Sequence, residues 1–186
     1  MKPGLVIRTA SLVPPTFEEA RMILRSPRTG AAGISIELHT GSRRLLRGLF
    51  RLAEDSESEL DRYIELRDVF VARTCTTIVG HIQVIAGETS RIASVAVVNS
   101  KRRHGIGTAL IRAGLNWLFA AGAERVLVGT AAADIESLRL YQRLGFRLLR
   151  VERDAFTVDR GYSPDLKVDG IPIRDRVWLS VEAPGA

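Results

Sequence analysis

The stretch from Lys101 to Leu110, KRRHGIGTAL, sets Lys101, Arg102, Arg103 and His104 directly before Gly105-Ile106-Gly107. An apolar run ending in Val97 and Val98 precedes it, and apolar residues at helical spacing follow. In the order strand, glycine loop, helix, backbone amides become ligands. Glycine lets a bound group come close, and the first amides of a helix are unsatisfied donors at the positive end of its dipole. The cationic side chains add charge where phosphates would be held. A tight turn feeding an ordinary helix explains a lone Gly-x-Gly equally well, so the surrounding order has to decide. Leu110 stands where the dinucleotide fingerprint needs a third glycine, and no Gly-Lys-Ser/Thr follows, which excludes a Walker loop.

One strand later, Asp134, Ser137, Tyr141, Gly145 and Phe146 recur at fixed intervals. Together the two stretches resemble the GCN5-related N-acetyltransferases. Arg102, Gly105 and Gly107 match that family's Arg/Gln-x-x-Gly-x-Gly/Ala signature. The later residues match its Asn-x-x-Ala-x-x-x-Tyr-x-x-x-Gly-Phe helix, with Asp for Asn and Ser for Ala. The resemblance spans residues 34–182.

The resemblance implies an α/β (α+β) fold: a mixed, mostly antiparallel sheet with a splayed parallel strand pair that admits acetyl-CoA, flanked by helices. Amides of Arg103, His104, Gly105, Ile106, Gly107 and Thr108 would hold the pyrophosphate, with Arg102 beside them. Backbone of Val97 and Val98 would meet the pantetheine arm, Asp134 and Ser137 would lie near the cofactor, and Tyr141 would bind there and protonate the departing thiolate. Asp134 can equally serve only as the helix cap. No metal is implied. The strand position where relatives often carry a basic glutamate falls near Arg91, which leaves the base unassigned.

The elements that must position these residues follow from pattern. ISIELHT (34–40) alternates as a strand, and SRRLLRGLFRLA repeats Leu45, Leu46, Leu49, Phe50, Leu52 and Ala53 at helical spacing. ESELDRYIEL reads as a second helix. VFVAR, TIVGHIQVIA and RIASVAVV form an antiparallel meander, and strand–helix–strand through RVLVGTA gives a parallel crossover. A final strand around DRVWLSVE would close a pocket or support a homodimer. Residues 1–33 form an N-terminal extension, with a capping box at Thr16 and Glu19, and 34–186 form one domain.

The chain of 186 residues carries 27 Lys+Arg against 21 Asp+Glu, so its natural partners are anions. Aromatics make up only 6% and do not interleave with basic residues on a strand, which argues against nucleic acid. The absence of a long apolar run argues against a membrane span. One cysteine, Cys75, and no apolar block of secretory length among residues 1–20 suit the cytoplasm. Cys75 itself reads as a small buried hydrophobe in a strand.

The acceptor signal is acidic. Glu54, Asp55, Glu57 and Asp61 crowd into LAEDSESELDRYIEL, and Glu54, Glu57, Asp61 and Glu65 would share one stripe of a continuous helix. Carboxylates there would attract a cationic amine such as a polyamine or an aminoglycoside-like sugar; a solvated helix face is the alternative. His81 and Gln83 fall on one face of a strand, where His81 would relay a proton or sit hydrogen-bonded in the core. The expectation is acetyl transfer from acetyl-CoA to a small-molecule primary amine. A protein amine as acceptor, or an acyl-CoA-binding regulator without catalysis, stays open.

Overall fold

A computed structural model describes residues 33–185; the helical stretch expected around Thr16 lies outside them. In chain order the main elements are β1 (Ile34–Leu38), α1 (Arg47–Phe50), α2 (Glu57–Tyr63), β2 (Asp68–Thr74), β3 (Thr77–Ile85) and β4 (Arg91–Val97). They continue with α3 (Ile106–Ala120), β5 (Arg125–Ala131), α4 (Ile135–Arg143), β6 (Arg147–Glu152), β7 (Lys167–Val168), β8 (Ile171–Pro172) and β9 (Arg176–Glu182). Seven strands form one mixed sheet in the order β1-β2-β3-β4-β5-β9-β6, while β7 and β8 pair as a separate hairpin. All pairings are antiparallel except β4 with β5.

Strand alternation divides the interior into two cores. Val69 and Val71 of β2 join Leu46, Phe50, Leu60 and Ile64 on the α1/α2 face. Phe70 and Ala72 point the other way, into a core shared with Ile106, Leu110, Ile111, Trp117 and Leu118 of α3. Trp117 meets Phe70 edge-on with ring centroids 5.4 Å apart. α3 comes this close because residue 114 is glycine: a Cβ there would lie 2.8 Å from Ile82 Cδ1 and 3.0 Å from Val84 Cγ1. α4 packs on the same face, since Tyr141, Phe146 and Leu138 belong to that core.

Two sequence expectations change. The helix expected through SRRLLRGLFRLA begins as a 3-10 turn, Arg43–Leu46, and only then becomes α1; Leu46 and Phe50 are buried, whereas Leu45 is 80% exposed. Cys75 is exposed, because the chain reverses between β2 and β3 at that residue, with φ 53°, and the paired positions Thr74 and Thr77 flank the turn. β9 has no free edge for a further strand, because β5 occupies one of its sides and β6 the other. The free edge on that side of the sheet belongs to β6.

Two glycines give opposite stability outcomes. Gly48 lies in α1 with nothing within 4 Å of its would-be Cβ, so Gly48→Ala should stabilise by about 0.5–1 kcal/mol in urea unfolding. Gly114→Val should cost roughly 1–3 kcal/mol in the same measurement, because it overpacks α3 against Ile82 and Val84.

Candidate active site

The parallel pair is brief. β4 and β5 match only at Arg91–Leu127 and Ile92–Val128, and beyond Ile92 the two strands part. The parting begins at a bulge: Gln83 faces Ser94 and Val84 faces Ile92, which leaves Ala93 as an extra residue without a partner on β3. An extra residue bends its strand and sharpens the local twist. Here it turns the end of β4 away from β5, which stays bound to β9 along its whole length. The gap therefore has backbone on both walls.

The glycine loop sits at the open end of this gap. Val98 gives its amide to Val79 of β3 at 2.9 Å, so strand alternation turns the amide of Val97 the other way, toward the gap. Arg102 folds back and donates from Nε to the Val97 carbonyl at 3.1 Å. His104 Nδ1 lies 2.6 Å from the Arg102 carbonyl, and Arg103 pairs with Glu136 of α4 at 2.7 Å on an exposed surface. The cations thus brace the loop as well as charging it.

Arg103 and Gly105 hold φ of 64° and 77°, the left-handed region, and Gly105 is the N-cap of α3. The first helical hydrogen bond runs from Ala109 to Gly105 at 3.0 Å. The amides of Arg103, His104, Gly105, Ile106, Gly107 and Thr108 consequently donate to no carbonyl or side chain among the described residues. Consecutive unpaired amides at the positive end of a 15-residue helix make an anion-binding concavity. A Cβ on Gly107 would rest 3.9 Å from both Val97 Cγ2 and Leu140 Cδ2, so loop, β4 and α4 converge there. This donor set fits a pyrophosphate, and the gap fits an extended arm that borrows strand hydrogen bonds.

Tyr141 follows Leu140 on α4 and is buried, with its ring edge-on to Phe146 at 5.6 Å. Burial, reinforced by the Asp134 charge, pushes its phenol well above the usual tyrosine value, so it holds a proton it can donate. Asp134 caps α4, accepting from the Ser137 amide at 3.0 Å and the Ser137 hydroxyl at 2.6 Å. Both side chains are thereby committed to each other.

The acidic stripe is broken. Ser56 caps α2, which runs only from Glu57 to Tyr63, so Glu54 and Asp55 precede the helix and Glu65 follows it. Glu57 binds Arg47 and Arg51, and Asp61 binds Arg47 at 2.8 Å. These carboxylates tie α2 to α1, and Asp55 faces solvent. Glu54 differs: it is half-buried and accepts the Ser56 amide at 3.1 Å, and burial, followed by the Glu54 charge, pushes the phenols of Tyr63 and Tyr162 above the usual tyrosine value. Tyr63 and Tyr162 were not singled out in the sequence, where an isolated tyrosine reads as core.

His81 and Gln83 do share a face, the α1/α2 face, and both are fully buried. Gln83 Nε2 closes the end of α2 by donating to the carbonyls of Tyr63 at 2.7 Å and Leu66 at 2.6 Å. His81 stacks on Phe50 with centroids 4.1 Å apart and meets Ser94 Oγ through Nε2 at 2.9 Å. Burial, and then Arg43, push its pKa down to about 3, so the ring is neutral at working pH.

Comparison with known proteins gives a consistent result. The acetyltransferase (GNAT) family model matches residues 40–146, more than half of the chain. A Bacillus subtilis (strain 168) protein named uncharacterized N-acetyltransferase YvbK is 29% identical over 151 residues, covering 80% of this chain and 96% of its own length. A Bacillus subtilis acetyltransferase solved with CoA superposes with a TM-score of 0.73 at 29% identity, covering 80% of this chain and 98% of the other. A GNAT family acetyltransferase from Elizabethkingia anophelis with acetyl-CoA bound gives 0.75 at 25% identity over 81% and 99%.

The His81 environment makes a pH prediction. Its pKa lies lower in the folded chain than in the unfolded one, so its contribution is fully present above about 6.5 and is lost as pH falls toward about 3. Stability measured by denaturant titration should therefore fall more steeply between pH 6.5 and 3 for the wild type than for His81→Gln. Equal slopes would mean that the imidazole is free to charge in place.

Proposed function

Because the chain belongs to the acetyltransferase (GNAT) family and uses acetyl-CoA, we propose that it acetylates the primary amine of a small, cationic molecule, with Tyr141 as the acid. The run of unpaired amides from Arg103 to Thr108, at the mouth of the β4–β5 gap, carries the donor half of this reading. These amides and the positive helix end hold the pyrophosphate, and the Val97 amide meets the pantetheine arm. Acetyl-CoA supplies an activated thioester whose carbonyl carbon accepts the amine. Tyr141 supplies the proton that the leaving thiolate needs.

The acceptor half rests on Glu54. With Glu57 and Asp61 held by arginines, it is the carboxylate of the original acidic cluster that is half-buried and not paired to a basic side chain at salt-bridge distance. A half-buried carboxylate suits an ammonium group, which donates hydrogen bonds to its oxygens and balances its charge. Polyamines and aminoglycoside-like sugars carry such groups.

Thiol release from acetyl-CoA should respond to spermidine or an aminoglycoside in an amine panel; binding of acetyl-CoA without turnover of any amine would favour a regulator instead. Gly107→Asp should raise the acetyl-CoA Kd at least tenfold by calorimetry, about 1.4 kcal/mol, by setting a carboxylate among the amides. Tyr141→Phe should lower kcat about 100- to 10,000-fold at an acetyl-CoA Kd within threefold of wild type. An unchanged kcat would remove Tyr141 from the acid role.

A further inference from the structure

Arg176 of β9 has a side chain that is only 22% exposed, yet its guanidinium donates no hydrogen bond among the described residues. Its N–H groups are withdrawn from much of the solvent without an acceptor, which is unfavourable until one arrives.

Strand alternation fixes where this group lies. Val128 of β5 and Val177 and Leu179 of β9 belong to the core under α3 and α4, so Gly129, Arg176 and Trp178 face the other side of the sheet, opposite Tyr141. Gly129 is the first residue of β5 past its last pair with β4, and it therefore belongs to the wall of the gap. A Cβ on Gly129 would lie 2.9 Å from Arg176 Cδ and 3.3 Å from the Trp178 ring. The missing side chain lets both groups lean from β9 across β5, which is toward the gap.

Aromatic rings hold the guanidinium in place. Its carbon lies 4.9 Å from the Phe156 centroid and 5.6 Å from that of Trp178, and Arg150 lies 5.2 Å from the same indole. Among the described residues Glu152 is the one carboxylate within 4 Å of Arg176, and it is already engaged. Its Oε2 accepts Trp178 Nε1 at 2.8 Å, and its Oε1 accepts Arg160 at 3.4 Å. Arg176 Nη1 stands 3.6 Å from Oε2, outside hydrogen-bond distance. The guanidinium groups of Arg150, Arg160 and Arg176 thus surround a single carboxylate, and Glu54 offsets part of the excess through space.

We propose that Arg176 is a specificity-determining residue that binds a carboxylate of the acceptor, which makes the acceptor an amino acid; this rests on the amine reading above and narrows its substrate class. A guanidinium presents parallel N–H groups to both oxygens of a carboxylate, and stacking fixes the plane of that fork in advance. The ligand supplies the acceptors that Arg176 lacks. A diamino acid also keeps the net positive charge of the acceptor, with an ammonium left for Glu54. A simple diamine leaves the guanidinium unanswered.

The test compares wild type, Arg176→Met and Arg176→Lys by thiol release on two matched pairs of probes, L-lysine with cadaverine and L-phenylalanine with phenethylamine. Only the first member of each pair carries a carboxylate. Wild type should prefer that member in at least one pair by tenfold or more in kcat/KM. Arg176→Met should raise KM for the preferred amino acid about 10- to 100-fold and leave kcat/KM for its partner within threefold, so the preference disappears. Arg176→Lys keeps the charge without the fork and should retain part of it. The acetyl-CoA Kd by calorimetry should stay within threefold in both variants; should Arg176→Met lose that binding, Arg176→Lys carries the comparison. No preference in either pair, or equal losses on both members, would overturn this proposal alone. A wild type that binds acetyl-CoA but acetylates no amine would overturn the amine reading together with it.

Discussion

The site depends on a sheet that is prevented from closing. Two parallel strands with apolar faces would ordinarily pair along their full length, and β4 and β5 do so at only two positions. The bulge at Ala93 bends β4, while β9 holds β5 by seven consecutive pairs, so the strands part because each is bound more extensively on its other side. Leaving backbone polar groups unpaired inside a sheet is unfavourable unless something else meets them. An extended pantetheine arm offers amide and carbonyl groups of the right kind, which makes the defect in the sheet the recognition element.

The loop and the two helices act at the ends of that defect. Gly105 and Arg103 bend the chain through left-handed conformations so that six amides face one concavity, and Gly107 keeps the approach between β4 and α4 open. α4 carries Tyr141 on one face of the sheet, and α1 and α2 cover the other.

The sequence disclosed whatever is local. Arg102, Gly105 and Gly107 form a loop whose geometry is set by its own glycines and by the helix that follows, so the cradle was readable from ten residues. The cap at Asp134 was readable for the same reason, whereas Tyr141 was singled out through the family resemblance alone. Long-range packing was not. Glu57 and Asp61 looked free because Arg47 and Arg51, which bind them, lie on a different helix. Ser56 meets Arg160 across more than 100 residues of chain, its hydroxyl donating to the Arg160 carbonyl at 2.6 Å. Cys75 was misread because a turn of two residues hides inside an apolar run.

The insertion of β9 between β5 and β6 also bears on how the molecule comes to exist. During synthesis, β5 emerges long before β9, and some 45 residues must be added at about 5–20 residues per second before its partner arrives, an interval on the order of seconds. Until then β5 has only two positions paired with β4 and an apolar, unpaired edge on its other side. The meander β2–β3–β4, built from neighbouring strands, can assemble early; the wall formed by β5 must wait for a distant strand. The nascent chain therefore passes through a stage in which the meander has its partners while β5 remains an open template for wrong pairing.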